Sequence, residues 1–163
     1  MPNWVTNYVD LHHDDPAKLA EFKAIYAECS TFEPNEKRLF SFYLPCPAEL
    51  LENGGWYDWC VQNWGTKWDA CHLQPLIELD ADNTIYLQFE TAWAPPSEFY
   101  CFMKDQGFNI KAEYVDEAYN FIGRWADGFD ECYGHDELND LPDYLSHLYT
   151  PFEDDADKDH QTL

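Results

Sequence analysis

Thr84-Ile85-Tyr86-Leu87-Gln88-Phe89-Glu90-Thr91 alternates apolar and polar side chains along its length. Ile85, Leu87 and Phe89 fall on one face and Tyr86, Gln88 and Glu90 on the other, the period of a half-buried β-strand. Upstream, Ala81-Asp82-Asn83 reads as a hairpin turn. That makes the residues near 68–80 the partner strand, with Pro75 marking an edge or a bulge. Downstream, Trp93-Ala94-Pro95-Pro96 opens a helix whose inward stripe is Phe99, Phe102 and Met103, and Gly107 stops it. Two further strands are expected at 109–115 and 118–126, joined through Asp116-Glu117.

The N-terminal half follows the same logic. Residues 3–11 read as a strand, with Val5, Val9 and Leu11 sharing parity with Asn3 and Asn7. Asp14 or Asp15 caps a helix, Pro16 suits its first turn, and Leu19, Phe22, Ile25 and Tyr26 form its apolar stripe. After the polar stretch 31–37, Leu39-Phe40-Ser41-Phe42-Tyr43-Leu44 reads as a second strand, ended by Pro45-Cys46-Pro47. Ala48–Leu51 is a short helical turn and Asn53-Gly54-Gly55 a break. Trp56, Trp59, Cys60, Asn63 and Trp64 recur at helical spacing, and Gly65 is a left-handed stop. The order β-α-β-α-β-β-α-β-β implies an α+β fold: a ferredoxin-like split βαβ sandwich, a mostly antiparallel sheet with helices on one face. Residues 1–126 form that domain. Residues 127–163 read as an acidic C-terminal extension and tail, with Leu138, Leu141 and Leu145 turned inward from a short helix over 136–147.

Charge narrows the function classes. The chain has 163 residues, with 32 Asp and Glu against 9 Lys and Arg, a net charge of −23. An aromatic content of 18% argues against an acidic disordered chain. The charge argues against direct nucleic-acid binding and against an anionic membrane surface. With no apolar run of membrane-spanning length and no signal-peptide pattern at Met1-Pro2-Asn3-Trp4, a soluble cytoplasmic protein is expected. The six cysteines show no C-x-x-C and read as reduced, mostly buried thiols rather than disulfides or metal ligands. His12-His13-Asp14-Asp15 reads as a strand end and helix cap rather than a metal corner. No cofactor or metal is expected.

The opening Met1-Pro2-Asn3-Trp4 with Asn7, the block Trp56-Tyr57-Asp58-Trp59-Cys60 through Asn63-Trp64-Gly65-Thr66-Lys67-Trp68-Asp69-Ala70, and Phe89-Glu90-Thr91-Ala92-Trp93-Ala94-Pro95-Pro96 resemble the YubB ferredoxin-like domain family of plasmids, phages and genomic islands. The likeness spans residues 1–126. It departs at Val5, where the family often has Cys. "Ferredoxin-like" here names a fold, and the cysteine spacing does not suit an iron–sulfur cluster. The resemblance implies a mobile-element setting, in which small accessory proteins act against host enzymes.

Three constellations carry candidate chemistry. Asp58, Asn63, Thr66, Lys67 and Asp69 with Glu90, Thr91 and Trp93 form a small-ligand or acid/base site if their strand ends converge; otherwise Asp58 and Asp69 simply pair with Lys67 while the tryptophans fill the core. The second is an acidic interaction surface, Asp127, Asp130, Glu131, Asp136, Glu137, Asp140 and Asp143, whose carboxylates would imitate DNA phosphates before a basic host protein such as a defence nuclease. The third is an RNA-type sheet bearing Tyr8, Phe40, Phe42, Tyr43, Tyr86 and Phe89, disfavoured because residues 1–125 hold 8 basic against 20 acidic side chains. The favoured reading is an accessory protein that binds a basic host partner through its acidic surface without catalysis. The alternative is a ligand-binding or enzymatic site near Lys67, Asp69, Glu90 and Trp93.

Overall fold

A computed structural model describes residues 2–30, 38–79 and 83–151. A six-stranded antiparallel sheet runs through it: β1 (Trp4–His13), β2 (Ile77–Glu78), β3 (Thr84–Ala92), β4 (Phe108–Asp116), β5 (Phe121–Ala126) and β6 (Phe129–Gly134). Their spatial order is β2-β3-β1-β4-β5-β6. The first four in that order are the ferredoxin-like split βαβ arrangement, and β5 and β6 extend it beyond β4. The helices are α1 (Pro16–Ser30), α2 (Leu39–Tyr43), α3 (Ala48–Asn53), α4 (Trp56–Trp64) and α5 (Ser97–Asp105).

Alternation dictates the two faces. Val9 and Leu11 of β1, Ile85, Leu87 and Phe89 of β3, and Ile110 and Ala112 of β4 are buried under the helices. Leu19, Phe22 and Tyr26 of α1, Trp64 of α4, and Phe99, Tyr100 and Met103 of α5 close over them. Asp15 is the cap of α1: its Oδ1 accepts from Ala17 N–H at 2.9 Å. His12 pairs with Asp14 at 2.9 Å, so the His-Asp cluster ends a strand and starts a helix. Gly65 closes α4 at φ 83°, and a Cβ there would meet the Ser97 and Glu98 amides at 3.1 Å, so a side chain would push α4 and α5 apart. All six cysteines are free thiols; only Cys60 is buried and Cys132 is exposed, which corrects the expectation of mostly buried sulfurs.

Two expected strands take other forms. Leu39–Leu44 is not a strand: Leu39–Tyr43 is a short helix. The apolar run suits either state. The Asp69 carboxylate decides it by accepting from the Phe40 and Ser41 N–H groups at 2.8 and 2.9 Å, which caps the helix from a distant loop. Phe40 then packs 4.4 Å from Phe99, centroid to centroid. The stretch near 68–80 pairs with β3 only in fragments, through a bridge at Cys71 and the two residues of β2. His72 at φ 51° and Pro75 interrupt it. The turn expected at Ala81-Asp82 lies outside the described residues, as do the polar stretch 31–37 and the tail from 152.

Within the acidic segment 127–151, Phe129–Gly134 joins the sheet as β6 and the rest packs beside it. Asp127 and Gly128 both take positive φ, 52° and 92°, and turn β5 into β6. Two 3₁₀ turns follow, His135–Asp140 and Ser146–Leu148, in place of the expected helix. They fold Leu138 and Leu145 onto Ile122, with Leu141 and Leu148 alongside, covering part of the face opposite the helices. Leu145→Ala should cost about 2–3 kcal/mol and free this segment first. Limited proteolysis after residue 134 should then outpace global unfolding.

Candidate functional site

The cluster around Lys67 is built by the loop after α4 meeting the ends of β1 and β3. Lys67 Nζ stands 4.8 Å from the Trp68 ring centroid and 4.4 Å from that of Trp93. No carboxylate among the described residues lies within 4.0 Å of it. The expected Lys67 pair with Asp58 or Asp69 is therefore absent, and indoles hold the ammonium instead. Trp4 packs 6.2 Å from Trp68 and edge-on to His72 at 4.8 Å. His72 Nδ1 contacts Glu90 Oε2. Trp93 and His72 both hold left-handed backbone, φ 69° and 51°. Such strain in bulky residues persists only where the surroundings enforce it.

The other expected members serve the fold. Asp69 is 3% exposed and is saturated by Phe40 N–H, Ser41 N–H, Ser41 Oγ and Ala70 N–H at 2.7–2.9 Å. Burial pushes its carboxyl up while those four donors pull it back. Thr66 Oγ1 donates to Ala92 O at 2.8 Å and Asn63 Nδ2 to Trp59 O at 2.9 Å. Thr91 Oγ1 donates to Ala94 O and accepts from the buried Asn7, which ties β1 to the turn leading into α5. Asp58 sits exposed in the first turn of α4. The structure thus brings Lys67, Trp93 and, through Trp4 and His72, Glu90 along one rim. It turns the Asp69 carboxylate towards the first-turn amides of α2.

Beside this rim lies a cleft of about 610 Å³ walled by Trp4, Trp56, Trp64 and Trp68, with Lys67 and Arg38 on its lining. Among the indoles, Trp64 donates to Leu44 O at 3.0 Å. Trp4, Trp56 and Arg38 belong to the site although residue spacing alone does not group them with Lys67.

A second concavity, about 620 Å³, lies on the face opposite the helices. Register explains it: the outward residues of β1, β3, β4 and β5 place Tyr8 beside Glu113, Tyr86 beside Asp10, and Arg124 beside Glu113. His147 Nε2 lies 2.8 Å from Glu113 Oε2, and Arg124 stands 5.5 Å from the Tyr144 ring centroid. Of the aromatics considered for an RNA-type sheet, Tyr8 and Tyr86 occupy this face; Phe89 is buried under the helices, and Phe40, Phe42 and Tyr43 lie on α2.

The acidic residues divide by role. Asp130 accepts from Tyr114 O–H at 2.7 Å, Glu131 from Tyr144 O–H at 2.5 Å and Glu137 from Gly134 N–H at 2.8 Å. The bond to Glu131 holds the Tyr144 phenol up at about 12. Asp127, Asp136, Asp140 and Asp143 are exposed. All seven sit on β6 and the segments flanking it, and Asp130 also accepts from Ser97 Oγ at 3.4 Å at the start of α5.

No family model matches the sequence, and no curated protein matches it. By structure the chain is similar to the crystal structure of a protein api92 from Yersinia pseudotuberculosis, of the family model DUF1281, with TM-score 0.51 and 9% identity, covering 83% of this chain and 95% of that one. That likeness shows a shared α+β fold. Among the described residues no helix is long and apolar enough to cross a membrane.

Proposed function

We propose that the protein works by binding a basic partner protein along its β6 edge. The observation that carries this is local. Residues 125–151 contain seven carboxylates and no Lys or Arg, and they fold onto one edge of the sheet instead of trailing from it. Seven anions on one small edge repel one another, and a lysine- or arginine-rich surface relieves that repulsion as it docks. Such a surface suits a protein that normally handles nucleic-acid phosphate. In that role the chain is a DNA-mimicking accessory protein of a phage or plasmid, directed at a host defence nuclease, the setting that the resemblance to the YubB family implies.

The test separates charge from fold. The carboxylates of Asp127, Asp136, Asp140 and Asp143 accept no hydrogen bond among the described residues; Lys104 Nζ and Ser146 Oγ donate to the backbone carbonyls of Asp127 and Asp143. Converting these four to Asn should leave unfolding stability within about 0.5 kcal/mol or raise it. The same variant should lose a basic bacterial partner that the parent captures at about 0.1 M salt, and raising salt to about 0.5 M should mimic the loss in the parent. Capture that survives both changes would refute the reading.

A further inference from the structure

We propose that the tryptophan cleft binds a small planar aromatic anion, its ring against the indoles and its charged group at Lys67. The cleft volume, about 610 Å³, falls in the range of small-molecule sites. Its lining is rich in donors. The indole N–H groups of Trp4, Trp56 and Trp68 donate to no acceptor among the described residues, and an indole nitrogen can only donate. Lys67 brings three more N–H donors, with no carboxylate among the described residues within 4.0 Å. The one carboxylate on the lining among the described residues, Asp69, already has four donors. A ligand entering here meets flat π surfaces and unmatched donors, so it must be flat and carry acceptors.

Sign of charge follows from the same inventory. Bare indole faces attract cations, but Lys67 occupies the faces of Trp68 and Trp93 and repels a second cation. The net −23 opposes an anion, most directly through Asp69 on the lining, whose carboxylate already accepts four hydrogen bonds, and Glu90 on the rim, which contacts His72. At about 0.15 M salt the screening length is about 8 Å, so charges farther away than that act weakly on a ligand in the cleft. Left-handed backbone at Trp93 and His72 flanks the rim, strain consistent with residues held in place for contact.

The full chain, titrated in about 0.15 M salt, can be followed through its tryptophan indole N–H signals in a ¹H–¹⁵N spectrum. The probes are 2-naphthalenesulfonate, 2-naphthalenemethanol and 2-naphthylmethylammonium. The sulfonate should shift the Trp4 and Trp68 signals and bind about tenfold tighter than the alcohol, and the ammonium should bind weakest. Lys67→Gln should bring the sulfonate down to the affinity of the alcohol, and Lys67→Arg should keep most of the preference. Equal affinities for the three probes, a preference for the ammonium, or no shift at about 1 mM sulfonate would overturn the proposal, even if Lys67→Gln fails to fold. The four-Asn variant of the acidic edge should bind the sulfonate as the parent does, so this site and the partner-binding edge stand or fall separately.

Discussion

Asp69→Ala will lower unfolding stability by about 3–5 kcal/mol in urea denaturation. The side chain is buried and accepts four hydrogen bonds, two of them from the first-turn amides of α2. Alanine leaves those N–H groups without their partner, at roughly 1–3 kcal/mol for the buried Phe40 N–H and less for the half-buried Ser41 N–H. Asp69→Asn should recover only part, since its one carbonyl oxygen replaces two carboxylate oxygens and its NH₂ faces donors. Ser41→Ala removes a single hydroxyl donor and should cost about 1 kcal/mol. A loss below about 1 kcal/mol in the Ala variant would mean that Asp69 does not hold α2 in place. pH adds a second signature. Burial holds the native carboxyl above its ordinary value of 3.8, so the folded chain keeps that proton longer than the unfolded one. The stability that Asp69 contributes therefore falls as pH rises from about 4 through the native value, and is level above it. The parent's advantage over Asp69→Asn should shrink across that window.

Gly123→Ala should be as damaging, for the opposite reason of too little room. Gly123 lies mid-strand in β5, paired with Tyr114 on one side and Cys132 on the other. The Tyr114 ring crosses it to reach Asp130 on β6, and a Cβ would stand 2.3 Å from the Glu131 carbonyl and 2.4 Å from the Tyr114 Cζ. One contact is with backbone, which cannot swing aside. The β5–β6 ladder must open, at about 3 kcal/mol or more. Tyr114→Phe should cost only about 1 kcal/mol for the hydrogen bond to Asp130. Tyr114→Ala combined with Gly123→Ala should recover part of the Gly123→Ala loss beyond additivity, because it removes the ring contact and leaves the carbonyl contact. Amide exchange should rise in β5 and β6 before it rises in β1 and β3. Unchanged protection there would contradict the packing described.

The two predictions probe devices that differ in how visible they are in sequence. The Asp127-Gly128 turn is a hairpin signal between alternating residues, although the acidity around it points towards an extension outside the domain. Gly123, by contrast, looks like any strand glycine until the register places Tyr114 over it. The Lys67 cluster shows the same divide. The Trp56–Trp64 block and its Gly65 stop are legible from spacing. Which indoles line a cleft and which carboxylate turns inward depends on where the loop 65–72 meets the ends of β1 and β3.

Periodicity alone determined the parts of this protein whose hydrophobic repeat is long. β1 and β3 alternate over nine or ten residues, α1 and α4 repeat at helical spacing with a cap or stop in place, and together they dictate an α+β sandwich. Tertiary structure alone decided α2, because a six-residue run with five apolar or aromatic side chains fits a strand as well as a helix and the choice rests on a carboxylate 28 and 29 residues away. It also decided that the acidic segment joins the sheet. Pairing with β5 and burial of Leu138 and Leu145 outweigh the repulsion between the carboxylates, and no local pattern carries the sum of those energies.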